Sequence, residues 1–174
     1  MKFSLSVAGT LLILASQPLN AQSPTKPPIE VFFAPGPTCI DAIVQELNTA
    51  RKTVHVQAYS FTSDRVARAL RDAEKRGVKA IAILDRTNRT QNYSAADFLV
   101  HQGVETYIDE MHPISHNKII IIDEAIVLTG SVNFTKASEK NAENLLVIRS
   151  PEVAATYEAN WQNHFKHSAY YAGK

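Results

Sequence analysis

Between positions 116 and 133 the chain reads His116-Asn117-Lys118, four residues, Asp123, six residues, then Gly130-Ser131-Val132-Asn133. These are side chains suited to handling phosphate. Imidazole is a competent nucleophile near neutral pH, and attack by His116 on phosphorus would leave a phosphohistidine that water can open. Lys118 stands two residues on, so at a strand edge its side chain leaves the same face as that of His116 and brings a point charge to one site. Ser131 and Asn133, on a turn begun by Gly130, offer neutral donors to phosphate oxygens that gain negative charge. Gly130 lets the backbone approach the phosphate or takes a positive φ. Glu143 is the candidate acceptor for the other ring nitrogen of His116, fixing its tautomer and orientation as a triad acid does. Asp123, five residues beyond Lys118 at a turn, falls at the far end of the strand and reads as structural or interfacial.

The six fixed positions resemble the HKD motif of the phospholipase D superfamily: His-x-Lys, four residues, Asp, six residues, Gly-Ser-x-Asn. At roughly 5% for each residue type, a chance match of all six is on the order of one in a million. Tyr59-Ser60-Phe61-Thr62 and Glu143-Asn144 extend the resemblance over most of residues 29–149, toward the small secreted single-motif bacterial endonucleases of that superfamily. Larger members carry two copies of the motif, and no second His-x-Lys with the right sequel occurs here.

That resemblance implies a phospholipase D-like α-β-α sandwich and an indirect role for Asp123. It also implies a two-fold homodimer that sets two motifs face to face, one His116 attacking and the other protonating the leaving oxygen. Two Lys118 and two Asn133 then surround one phosphate, with no cofactor and no obligatory metal. The sequence agrees in offering no paired-carboxylate cluster. The implied activity is phosphodiester hydrolysis on nucleic acid, DNA or RNA. A phospholipid headgroup is the alternative substrate, and an inactive envelope binding protein is the third reading. A nuclease calls for basic residues such as Arg86, Arg89, Lys136 and Lys140 near the site, and a lipid enzyme for an exposed apolar rim. The remaining histidines, His55, His101, His112, His164 and His167, show no metal-ligand spacing and read as structural or exposed. His112, four residues before His116, is the one nearest the motif.

The elements that must carry these residues follow from periodicity. Ile29–Phe33 reads as a strand. Thr38 is an N-cap with Asp41 three residues on, opening a helix through Ile40, Ile43, Val44 and Leu47 to near Arg51. Val54, Val56 and Ala58 alternate with polar neighbours as a strand. Ser63 opens a helix on Val66, Ala67, Leu70 and Ala73 that stops at Gly77, its Arg65, Arg68, Arg71, Lys75 and Arg76 forming a solvated face. Strand Val78–Leu84, helix Ala95–His101 and strand Val104–Ile108 repeat the alternation. Lys118–Ile122 and Ala125–Leu128 make a tight hairpin at Asp123-Glu124, and Leu145–Ile148 is a further strand. Ser150-Pro151 caps a last helix with Tyr157, Trp161 and Phe165 as core. The expected class is α/β: a mixed, largely parallel central sheet flanked by helices on both faces.

Composition sets the outer bounds. The 174 residues, 45% hydrophobic and 20% charged, suit one core rather than two domains, and a net charge of +1 excludes a polybasic or acidic tail protein. A single cysteine, Cys39, excludes a disulfide framework within the chain. Residues 1–21 read as a secretory signal peptide: Lys2, an apolar run from Phe3 to Ala15 too short to span a bilayer, and a small residue at Ala21. Residues 22–28, with three prolines, read as a flexible leader, and 29–174 as the catalytic domain. The expected location is the periplasm or outside the cell, with no stable membrane association once the signal is removed after Ala21; an uncleaved membrane anchor is the alternative reading of the same segment.

Overall fold

The computed structural model describes residues 26–91 and 94–174, so the signal peptide and most of the leader lie outside the described residues. Among those described, an eight-stranded sheet runs in the order β1-β7-β6-β5-β2-β3-β4-β8. Its strands are β1 (Ile29–Ala34), β2 (Thr53–Ala58), β3 (Lys79–Asp85), β4 (Glu105–Asp109), β5 (Lys118–Ile122), β6 (Ile126–Gly130), β7 (Glu143–Arg149) and β8 (Ala169–Tyr170). Helices α1 (Thr38–Thr49), α2 (Asp64–Lys75), α3 (Thr87–Thr90) and α4 (Ala96–His101) fall between strands, and α5 (Pro151–His167) follows β7. No helix among the described residues is long and apolar enough to cross a membrane.

Both faces of the sheet are covered, which is why its central strands are apolar on both sides. On one face Ile43 and Leu47 of α1, Leu70 of α2 and Leu99 of α4 pack on Val54, Val56, Leu84, Ile120 and Val147. On the other, Trp161 and Ala154 of α5 cover Ile81, Ile83, Ile119, Ile121 and Val127. Trp161 is fixed three ways: it stacks on His55 at 4.2 Å and on Phe165 at 5.1 Å, and its indole N–H donates to Val56 O at 3.0 Å.

The mixed α/β sheet with helices on both faces is as expected, but parallel pairing is confined to β2-β3-β4 and the other neighbouring strands run antiparallel. The expectation of a largely parallel sheet rested on strands apolar on both faces. Helices on both faces require that pattern whatever the strand direction, and the β5–β6 hairpin followed by β7 and β1 builds half the sheet antiparallel. Two caps are as read: Ser63 Oγ accepts from Val66 N, and Ser150 Oγ from Val153 N at 3.3 Å, with Pro151 in the first turn of its helix. Thr38 is not an N-cap. The helix starts at Thr38 itself after Pro37, and the threonine hydroxyl donates back to Phe33 O at 2.7 Å. The arginines of α2 are a solvated face with local partners, Arg65 beside Asp41 and Arg71 beside Asp72.

Candidate active site

Because β4 lies at one side of β2 and β3 and β5 at the other, the connection Glu110–Asn117 must cross the carboxyl ends of the parallel strands, the usual ligand crevice of an open α/β sheet. His116 rides on that connection. Two buried carboxylates at the strand ends hold it down: Asp85 Oδ2 accepts from Ser115 N at 2.7 Å, and Asp109 Oδ1 from Met111 N and His112 N at 3.1 and 3.3 Å.

Lys118, the first residue of β5, pairs with Ala58, while Tyr59 N donates to Asn117 O at 2.9 Å and extends the pairing past the motif. Lys118 is 8% exposed. It turns back so that Nζ donates to His116 O at 2.7 Å, and it lies 5.3 Å from the Tyr59 ring centre. Burial pushes the Lys118 ammonium below the usual lysine range, and the Glu143 charge partly opposes that. His116 is exposed, its ring tilted against Tyr59 at 4.6 Å. Tyr59 is thus common ground for the two, a position that carried no role in the sequence reading. Its backbone is held in turn by buried Asn88, whose amide donates to Tyr59 O at 2.6 Å and accepts from Phe61 N at 3.3 Å.

The Gly130–Asn133 segment reaches the same end of the sheet by a second route. Phe61 bridges Phe134, and Phe134 N donates to Ser60 O at 3.2 Å, which lays Asn133 beside the Tyr59–Phe61 stretch. The Asn133 amide makes no hydrogen bond among the described residues, and its Oδ1 is buried. The side-chain Nδ2, which also lacks a partner among those residues, is the donor left for a ligand.

Gly130 is required, though by a neighbour other than phosphate. A Cβ there would lie 2.3 Å from Asn144 O, the carbonyl that accepts from Ser131 N at 3.1 Å. The close approach is β6 to β7.

Two expectations fail within the single chain. Glu143 does not bond His116; it accepts from Ser131 Oγ at 2.5 Å and from Asn141 at 3.2 Å. The reason is position: Glu143 opens β7, which is separated from β5 by β6, so the Ser131 hydroxyl at the end of β6 meets it first. Ser131 is consequently not a free donor. Its one proton goes to Glu143, and its oxygen accepts from Asn144 N at 3.0 Å. Asp123 lies at the opposite end of β5, where its carboxylate accepts from the backbone N–H groups of Arg51, Lys52 and Thr53 at 2.7 to 2.9 Å. It ties the hairpin turn to the start of β2, a structural role as read.

Four of the other five histidines face carboxylates. His55 bonds Glu158, and His112, His164 and His167 gather around Asp109, each offering a nitrogen within 4.8 Å of the others. Burial pushes the Asp109 carboxyl up, but hydrogen bonds from His112 and His164 outweigh it and hold it at about 2. The reading that these histidines have no ligand-like spacing therefore needs correction. Asp109 and His112, and His164 and His167, are each three apart, and only the docking of α5 beside β4 brings the two pairs together. The three-residue spacing of His164 and His167 on a helix was the available signal.

Chemically, this end of the sheet offers an exposed imidazole, a buried ammonium and an unpaired carboxamide. The family described as "Cardiolipin synthase, PLD-like domain" matches residues 43–165. The chain is 38% identical to the phospholipase D of Rickettsia bellii over 82% of this chain and 71% of that protein. It is 27% identical to the human mitochondrial cardiolipin hydrolase over 67% of this chain and 47% of that one. Among solved structures it is similar to the phospholipase D family member Nuc from Salmonella typhimurium, with a TM-score of 0.80, 33% identity, and 82% and 97% of the two chains covered. NucT from Helicobacter pylori shares the fold at a TM-score of 0.76 and 23% identity, with 82% and 98% covered.

Proposed function

The chain belongs to the phospholipase D-like family of phosphodiester hydrolases, and from that premise we propose that it is an exported, metal-independent nuclease whose active site is completed by a second copy of itself. One observation carries the reading. The site holds a single exposed imidazole beside a buried ammonium, and among the described residues the other histidines lie elsewhere: His101 is exposed, His55 bonds Glu158, and His112, His164 and His167 gather around Asp109. One chain therefore supplies a nucleophile and no histidine to protonate the leaving group.

In this mechanism the neutral ring of one His116 attacks phosphorus in line. The P–O bond to the leaving oxygen breaks, and the protonated His116 of the second copy delivers the proton. Water then attacks the phosphohistidine, giving its proton to the second, now neutral, His116, and the first imidazole is released. Lys118 and Asn133 from both copies hold the phosphate oxygens and offset the charge that builds in the transition state. Apolar side chains on edge strand β1, Ile29, Val31 and Phe33, are more than half exposed and end beside Glu143, which supports a self-association surface there.

Exposed Arg86, Lys136 and Lys140 support a polyanion substrate. Arg89 contributes less, because it pairs with Glu110. A specific observation favours the second reading, a phospholipid substrate: Met111 and Ile114, on the same connection as His116, are 67% and 59% exposed. The test is incubation of the mature protein with plasmid DNA, RNA and phosphatidylcholine vesicles in excess chelator, with His116→Asn as control. Cleavage of nucleic acid with vesicles untouched is expected. Cleavage of lipid alone would replace the substrate, and loss of activity restored by Mg²⁺ would overturn the metal-free chemistry.

A further inference from the structure

We propose that Asp109, His112, His164 and His167 bind one divalent transition-metal ion, Zn²⁺ foremost, and that this ion fastens the connection carrying His116 to helix α5. The inference does not rest on the choice of substrate. Three imidazole nitrogens converge on one carboxylate whose residue is fully buried: His112 Nδ1 lies 2.9 Å and His164 Nδ1 3.2 Å from Asp109 Oδ2, and His167 Nε2 lies 3.5 Å from Oδ1. Metal–ligand bonds of about 2.0 to 2.1 Å place tetrahedral ligands about 3.3 Å apart, and the His112 and His164 nitrogens already stand near that spacing from Oδ2. The four donor atoms lie within 4.8 Å of one another, leaving a closure of up to about 1.5 Å to reach it.

A purely hydrogen-bonded cluster accounts for these residues incompletely. Asp109 Oδ1 already accepts from the backbone N–H groups of Met111 and His112, and Oδ2 faces two imidazoles. His167 Nε2 is left buried with no hydrogen-bond partner, a polar atom aimed into the cluster and unsatisfied. A cation at the centre would take that lone pair. The same two amides would then orient the ligating carboxylate from behind, as outer hydrogen bonds do around metal sites. Three neutral imidazoles and one carboxylate suit Zn²⁺ and disfavour Mg²⁺ and Ca²⁺, which select oxygen.

The folding consequence follows from the elements. Asp109 ends β4, His112 lies three residues into the connection, and His164 and His167 share one face of the last turn of α5. An ion bound by all four ties the connection to the helix. Four residues further on is His116, past Ser115, which Asp85 already holds. The site would position the nucleophile without touching the phosphate.

The test uses the mature chain, made without a polyhistidine tag, loaded with Zn²⁺ and dialysed. Elemental analysis should find one zinc per chain, and Co²⁺ loading should give the intense visible absorption of a tetrahedral site. The double variant His112→Gln, His167→Gln should retain no zinc. Hydrogen–deuterium exchange, read without substrate, should show residues 110–117 slowed by Zn²⁺ in the wild type and unchanged in the variant. A wild type that keeps no zinc, or a folded variant that keeps as much, overturns the site. Bound zinc that leaves exchange at 110–117 unaltered overturns the fastening role. Should the double variant not fold, the wild-type stoichiometry and exchange still decide. None of these readouts involves turnover, so their failure leaves the hydrolase reading standing.

Discussion

The motif aspartate is the member of the signature whose part in this fold can be worked out in energy. Asp123 to alanine removes a carboxylate that three backbone donors share, those of Arg51, Lys52 and Thr53. The Arg51 and Lys52 groups are exposed and regain water, costing about 0.5 kcal/mol each, whereas the half-buried Thr53 N–H is stranded at about 1 to 3 kcal/mol. Asp123 also sits at φ 52, beside Glu124 at φ 56, in a left-handed turn that costs alanine about 1 to 2 kcal/mol more. The expected loss is about 3 to 6 kcal/mol, a fall in Tm of roughly 10 °C or more. Asp123→Asn keeps one acceptor oxygen and a residue that tolerates positive φ, so it should lose about 1 kcal/mol. The assay pairs thermal or urea unfolding with turnover at a temperature where each variant is fully folded, and kcat should then stay within about twofold of wild type. An Asp123→Ala protein with unchanged Tm and abolished turnover would refute the argument, since it would place the carboxylate in the chemistry.

His116→Asn should abolish turnover, by about a thousandfold or more, with Tm unchanged, because the residue is exposed and its ring only abuts Tyr59; a variant retaining a tenth of the rate would point to another nucleophile. A mixed dimer of tagged wild-type and His116→Asn chains should be nearly inactive, while half the wild-type rate would mean that each chain holds a complete site. Since burial lowers the Lys118 ammonium and the Glu143 charge raises it, Glu143→Gln should move the alkaline limb of the pH–rate profile to lower pH; an unmoved limb would remove Lys118 as the group that titrates there. Gly130→Ala should destabilise by about 1 to 3 kcal/mol in urea unfolding, because its Cβ meets the Asn144 carbonyl and not a flexible side chain.

Local chemistry was legible in the chain itself. Caps at Ser63 and Ser150, the hairpin at Asp123-Glu124, the alternation of Val54, Val56 and Ala58, and the aromatic face of α5 depend on neighbours a few residues away, and the structure repeats them. Lys118 opens β5 and His116 stands two residues before it on the connection, which lets the lysine side chain turn back to the His116 carbonyl. Long-range partners are another matter, because a side chain bonds whichever group the topology brings first. Glu143 was read as the partner of His116, but β6 stands between their strands and the Ser131 hydroxyl takes the carboxylate. Strand direction was equally hidden, since helices on both faces make a strand apolar on both sides in either direction. Asp109 and His164 stand 55 residues apart and meet only because α5 docks beside β4. Spacing along the chain specified that His116 and Lys118 stand together; docking of distant elements decided what surrounds them.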